Sequence, residues 1–215
     1  DDLALYWGFD AATSDVSSEQ VRFDKPDTLG PNRTESFDRS ERRGNFSDDS
    51  NFQQYGVYTQ LAYEADLGRV EIAPEAGARL SHIRATAPNV PDLGDVEYDD
   101  TGVIGRARVR ATYDDRYSLF AGWAQGFRTP NLQETTVLGD TGTNFEIPNN
   151  DLGPERSDNF EVGARYATND TMVELTGFYL TINDVIARED ATLDGQSDIN
   201  GSPVVRRINA DGATF

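Results

Sequence analysis

Ionisable side chains recur here at even spacings. Glu71, Glu75 and Arg79 stand four residues apart, Arg106, Arg108 and Arg110 two apart, and Glu161 and Arg165 four apart. Two carboxylates such as Glu75 and Glu161 are the raw material of acid–base hydrolysis, but nothing in their sequence surroundings marks either as an acid with a raised pKa. Arginine's planar fork grips carboxylates and phosphates in pairs of hydrogen bonds. Arg39, Arg42 and Arg43, lying among Asp38, Glu41 and Asp48, carry that potential, although mixed charge in a solvated loop accounts for them. Asp92, Asp95, Glu97, Asp99 and Asp100 supply the oxygens a hard cation prefers. Their spacing is not that of a calcium-binding loop, so a solvated acidic segment is expected and no metal site is assigned. Cysteine is absent and His82 is the single histidine, which excludes thiol nucleophiles, disulfides and multi-histidine zinc clusters. His82 is expected at a loop boundary.

What must position these groups is a set of strands. The 215 residues include 38 acidic and 19 basic ones, a formal charge of −19, and that balance disfavours nucleic acid, whose phosphates reward positive charge. No apolar run reaches the ~18 residues of a membrane-spanning helix. Mean hydropathy is −0.61, a value shared by soluble proteins and by β-barrels, which show lipid only every second residue. Period-two alternation dominates. Val70, Ile72, Pro74, Ala76, Ala78 and Leu80 oppose Glu71, Glu75 and Arg79; Val103, Ala107, Val109, Ala111 and Tyr113 oppose the three arginines; Phe160, Val162, Ala164 and Tyr166 oppose Glu161 and Arg165.

The alternation predicts about eight strands, at 2–11, 52–64, 69–82, 103–113, 117–127, 157–167, 171–186 and 204–210. Turn formers fill the short connections at 65–68, 114–116 and 167–170, while 12–51, 83–102, 128–156 and 187–203 read as long loops. Long strands suit the ~9–11 residues a tilted strand needs to cross a bilayer, and short turns at one end with long loops at the other are the layout of outer-membrane barrels. Aromatics at strand ends (Tyr55, Tyr63, Tyr113, Tyr117, Phe127 and Tyr166) suit the headgroup boundary. A soluble β-sandwich alternates in the same way. However, eight ionised groups on one face cannot sit in a dry core, where each unpaired charge costs several kcal/mol. Glu71, Glu75, Arg79, Arg106, Arg108, Arg110, Glu161 and Arg165 are therefore expected to line a wet or polar interior. The 18 arginines against one lysine, Lys25, suit ion pairs in such an interior and contact with anionic lipopolysaccharide.

Two segments are more specific. Tyr117 through Pro130 (YSLFAGWAQGFRTP) resembles the strand and GFRxP signature of TonB-dependent outer-membrane receptors, and Ile147 through Gly163 (IPNNDLGPERSDNFEVG) resembles their NPxLxPExSxxxExG segment. Gly177-Phe178-Tyr179 through Asn183-Asp184-Val185-Ile186 is similar to the strand that follows, and Arg207-Ile208-Asn209-Ala210 fits the opening of the next. The strong match covers about a third of the chain.

The resemblance implies an all-β antiparallel meander forming part of a 22-strand transmembrane barrel. Residues 1–215 would be a partial barrel domain, with the plug domain and TonB-contacting segment absent from the chain. The chain opens on Asp1-Asp2 without a signal peptide, and Asp211-Gly212-Ala213-Thr214 lacks the alternation of a closing strand, so a piece of a longer protein is expected. The implied function is energised uptake of a scarce ligand, such as a ferric siderophore, vitamin B12 or a saccharide, across the outer membrane of a Gram-negative-type bacterium. Partners would be a TonB-type complex, outer-membrane lipid and lipopolysaccharide, and the small-molecule ligand; no cofactor and no enzymatic activity are implied. Ligand contact is assigned to Arg128, Asn131 and Gln133, although Pro130, Pro148 and Pro154 also suit these motifs to shaping a loop and its re-entry. In the haem-importing branch a histidine lies between the two motifs. None lies between Arg128 and Glu155 here, which disfavours haem. The alternative is a self-contained eight-strand barrel with a structural or adhesive role, a tight fit for so many interior charges.

Overall fold

Alternating apolar and polar residues favour extended backbone, because side chains two apart then share a face and pack across neighbouring strands. A computed structural model describes residues 2–24, 38–43, 47–90 and 94–215, with backbone alone for 20–24 and 38–43. In chain order the elements are β1 (Asp2–Val16), β2 (Glu19–Asp24), β3 (Asp38–Arg43), β4 (Ser50–Asp66), β5 (Val70–Val90), β6 (Gly94–Tyr113) and β7 (Tyr117–Arg128), followed by the short helix α1 (Leu132–Thr136). Then come β8 (Gly139–Asp140), β9 (Phe145–Ile147), β10 (Glu155–Ala167), β11 (Met172–Asn183), β12 (Val185–Asp190), β13 (Asp198–Ile199), β14 (Ser202–Ala210) and β15 (Ala213–Thr214).

The all-β antiparallel class stands. Eight strands form one sheet in the order β1-β4-β5-β6-β7-β10-β11-β15, open at its two edges. Directly paired residues share a face, so the register sorts the side chains. One row reads Leu5, Leu61, Ala76, Ala107, Trp123, Phe160, Tyr179 across seven strands, wholly apolar. The adjacent row, on the other face, reads Ala4, Ala62, Glu75, Arg108, Gly122, Glu161, Phe178. The apolar face lies bare: Phe9 is 78% exposed, Leu175 76% and Trp7 73%. An uncovered apolar surface running across seven strands far exceeds what a protein leaves facing water. Among the described residues no helix is long and apolar enough to cross a membrane.

Aromatics border the apolar face at both ends. Next to the short turns, Tyr113, Tyr117 and Tyr166 lie in one row, with the Tyr117 and Tyr166 rings 5.0 Å apart. The Arg69 guanidinium sits 4.8 Å from the Tyr113 ring and pairs with Asp114. Asp114 and Asp115 hold φ of 50° and 56°, a left-handed pair that short hairpin turns require. At the long-loop end, Tyr55 stacks with His82, Arg156 lies over Phe127, and Trp123 donates from Nε1 to Asp158 at 2.9 Å.

Four sequence expectations are corrected. Residues 83–90 and 94–102 are strand and not loop: β5 and β6 stay paired out to Val90 and Gly94. Their alternation continues there, Arg84 pairs with Glu97 at 2.6 Å, and a register shift between Ala87 and Val90 accommodates Pro88. The expected strand 171–186 breaks at Asp184, whose φ of 56° ends β11 and sends β12 off the wall. Strand 204–210, expected in the wall, lies instead in a second sheet ordered β12-β14-β9-β8, with β9 parallel to β14. The wall's eighth strand is β15, paired with β11 through Thr181 and Ile182. Within the expected loop 12–51, β1 continues to Val16 and β2 pairs with β3.

Candidate functional site

The eight charged residues assigned to an interior share one face of the sheet. Arg110 reaches Glu71 at 3.0 Å, Arg106 comes within 3.9 Å of Glu75, and Arg79 clamps Asp10 through Nη1 at 2.7 Å and Nη2 at 2.9 Å. Arg108 lies over the Phe120 ring at 4.8 Å, and Glu161 accepts from Asn159 at 2.7 Å. Glycines make room: a Cβ on Gly56 would run into the Arg79 guanidinium, and one on Gly163 into the Phe120 ring. Shallow recesses spanning several strands open on this face, one of them reaching Tyr6, Glu75, Arg108 and Arg110. Glu75 and Glu161 are three strands apart in one row, about 14 Å at ~4.8 Å per strand. That exceeds the spacing of a glycosidase carboxylate pair.

At the long-loop end, the second sheet, α1 and the motif segment 147–156 form a small folded module. Its buried apolar residues are Val137, Leu152, Ile186, Val204 and Val205. A chain of ion pairs threads it. Arg128 donates from Nε to Glu155 at 2.5 Å and from Nη1 to Glu134 at 2.9 Å. Glu134 lies 3.8 Å from Arg207, which pairs with Glu146, and Glu146 also takes Arg188 at 3.3 Å. Arg188 and Arg207 stand directly opposite each other across β12 and β14, a repulsive placement that the Glu146 carboxylate relieves from full burial. Beside this, the Asn209 amide accepts from the Gly153 N–H at 2.7 Å and donates to the carbonyls of Gly153 and Asp184 at 2.9 and 2.8 Å. Asn149 donates to the Arg207 carbonyl at 2.7 Å. The two motifs and the RINA segment are therefore one hydrogen-bonded unit. Arg128 holds the Glu155 carboxyl below its ordinary pKa, assisted by the Ile186 N–H at 2.8 Å and opposed in part by burial.

Of the three residues assigned to ligand, Arg128 is held between two carboxylates and Asn131 caps α1, its side chain accepting from the Glu134 N–H at 3.0 Å. Glu134 returns the bond to the Asn131 N–H, completing a capping box. Gln133 is exposed on the same turn. Sequence reasoning missed Glu134, Glu146, Arg188 and Arg207. The Asn-x-x-Glu pattern at 131–134 was a readable signal for the first, whereas a strand of three residues gave none for Glu146.

The acidic segment disperses. Asp95 accepts from the Asn89 N–H, Glu97 pairs with Arg84, Asp99 lies 3.5 Å from His82, and Asp100 accepts from the Tyr98 hydroxyl. Among the described residues no group of metal-ligating side chains forms. Asp92, Lys25 and the side chains of Arg39, Arg42 and Arg43 lie outside the described residues.

The family model described as TonB dependent receptor-like, beta-barrel, matches residues 2–214. A hemin receptor of Yersinia enterocolitica is 27% identical over 122 residues, 53% of this chain and 17% of that protein. Among solved structures, a double mutant of the Serratia marcescens hemophore receptor HasR, in complex with its hemophore HasA and heme, aligns with a TM-score of 0.64 at 16% identity. It covers 99% of this chain and 38% of HasR. The copper transporter OprC aligns at 0.61 with 17% identity, covering 100% and 33%. The siderophore receptor PirA of Pseudomonas aeruginosa aligns at 0.51 with 16% identity, covering 99% and 45%. Likeness at these identities is likeness of fold. The chain spans less than half the length of each of these proteins.

Proposed function

We infer that this chain is one arc of an outer-membrane uptake barrel, because it belongs to the TonB-dependent receptor-like β-barrel family. That family is one of transport receptors. The single observation that carries the inference is the sorting of side chains: one face apolar across seven strands and bare, the other charged and threaded by cross-strand pairs. Lipid suits the first and a polar, water-filled lumen the second. On this proposal Glu71, Glu75, Arg79, Arg106, Arg108, Arg110, Glu161 and Arg165 line the lumen opposite a plug encoded elsewhere in the full protein. A TonB-type complex acts on that plug, and the outer module meets a scarce small ligand such as a ferric siderophore. Gln133 is the contact residue, with Arg128 and Asn131 holding its turn in place. The barrel binds and gates and does no bond chemistry. Its surroundings are outer-membrane lipid and lipopolysaccharide. The free edges at β1 and β15 favour a wide barrel over a self-contained eight-strand one.

Envelope fractionation with an antibody against residues 131–156 tests this. The expected result is an outer-membrane band about two to three times the 23.7 kDa of this chain, given its share of its structural relatives. Disruption of the full gene is expected to slow growth under iron limitation. A soluble band would overturn the membrane assignment, and a 23.7 kDa outer-membrane band would favour the small barrel.

A further inference from the structure

The charged face does not stay charged to its outer end. Beyond Arg79 and Ser81, the same face of β5 continues through Ile83, Ala85 and Ala87, flanked by Phe52 on β4 and Tyr98 on β6. Ala85, Ala87, Val90 and Val96 form one buried apolar cluster there with Leu132 of α1, and Val16, Phe52 and Tyr98 pack against it. The segment between β7 and β10 thus turns inward across the lumen-side face instead of standing outward.

The joints on either side of α1 differ in kind. Behind it lies the ion-pair chain from Arg128 through Glu134 and Arg207 to Glu146, together with buried Thr136 and Val137. In front of it, one leucine rests on alanines and valines. The wall also parts at this level. The β6–β7 ladder ends at Arg106 and Ala124, and from Gln125 to Arg128 β7 is paired with β10 alone. Across the seam the contacts are side chain on glycine: the Phe127 ring lies where a Cβ of Gly102 would fall, and Gln125 accepts from the Gly105 N–H at 3.1 Å. The outer module is therefore continuous with β7 and β10 and only lightly seated on the β5–β6 extension.

We propose that α1 is a strap across the outer mouth of the lumen, and that its release from the β5–β6 extension is a step in ligand passage. This rests on the uptake function proposed above. The test uses the full receptor carrying Leu132→Cys and Ala87→Cys, bridged by a short bifunctional thiol reagent that reduction cleaves; this chain has no other cysteine. The probe is radio-iron complexed with siderophores from the spent medium of iron-starved cells. Bridging is expected to lower uptake at least ten-fold while cell-surface binding is kept, and reduction is expected to restore it. Equal uptake with and without the bridge would overturn the strap. Absence of uptake in the parent receptor without the two engineered cysteines would overturn the siderophore-uptake reading, and the strap's role with it. A ligand-independent measurement stands beside this one. Leu132→Asp is expected to raise labelling of a cysteine at Ala87 by a membrane-impermeant maleimide about ten-fold, and unchanged labelling would overturn the seating of α1.

Discussion

Replacing Glu146 with alanine is expected to unfold the outer module and leave the wall intact. The carboxylate is fully buried and is the shared partner of Arg207 and Arg188. Its removal leaves two arginines facing each other across β12 and β14 with nothing between them. Breaking a buried pair by deleting one partner costs about 3–5 kcal/mol. The lower end applies here, because the Arg188 side chain is 44% exposed and can turn to water. A module with five buried apolar side chains of its own has little reserve against such a loss. Amide exchange should therefore rise throughout residues 139–156 and 185–210, while exchange in β4, β5 and β10 stays slow. Glu146→Gln keeps one acceptor oxygen and should show a smaller effect. Unchanged exchange in Glu146→Ala would mean that the ion-pair chain does not hold the module together.

The second large effect belongs to the apolar face. Val109 stands between Arg108 and Arg110 but points the opposite way, paired with Pro74 and Ala121. An arginine on the lipid face at mid-bilayer costs about 2–4 kcal/mol, which is about 30- to 1000-fold in a folding equilibrium. Val109→Arg should accordingly refold poorly into lipid vesicles, read as loss of the heat-modifiable gel mobility of a folded barrel. Gln60→Arg places the same charge on the other face, beside Glu75, which Gln60 already contacts at 3.0 Å. It should refold like the parent. Equal damage from both variants would contradict the two-faced wall.

Much of the wall was legible because its physics is local. Period two in 70–80, 103–113 and 159–166 fixed which residues share a face, and the register agrees with that sorting in every strand used. The turns at Gly68 and Asp114-Asp115 announced themselves through residues that tolerate positive φ. The misread stretches were those where composition outweighed pattern. Proline, glycine and aspartate made 83–102 look like a loop, although Ile83, Ala85 and Ala87 still alternate with Arg84 and Thr86. The outer module was not legible for a different reason. Its central contacts join Glu146 to Arg207 and Asn209 to Gly153, 61 and 56 residues apart in sequence, and the three-residue strand carrying Glu146 pairs in parallel with β14, a pairing no short-range pattern encodes. The motifs at 117–130 and 147–163 did mark the right place. Arg128 and Asn131, although exposed, turn out to be engaged in building it, and Gln133 is exposed on the same turn.

One measurement tests the two-faced wall most directly. Nitroxide labels are placed on single cysteines at Ala107→Cys and Arg108→Cys in the bilayer-reconstituted receptor, and their relaxation is compared under oxygen and under a water-soluble nickel chelate. Ala107 lies in the apolar row between Ala76 and Trp123, and Arg108 in the charged row between Glu75 and Gly122. The expected result is oxygen-dominated relaxation at position 107 and chelate-dominated relaxation at 108. The same response to both reagents at the two neighbouring positions would contradict the barrel wall.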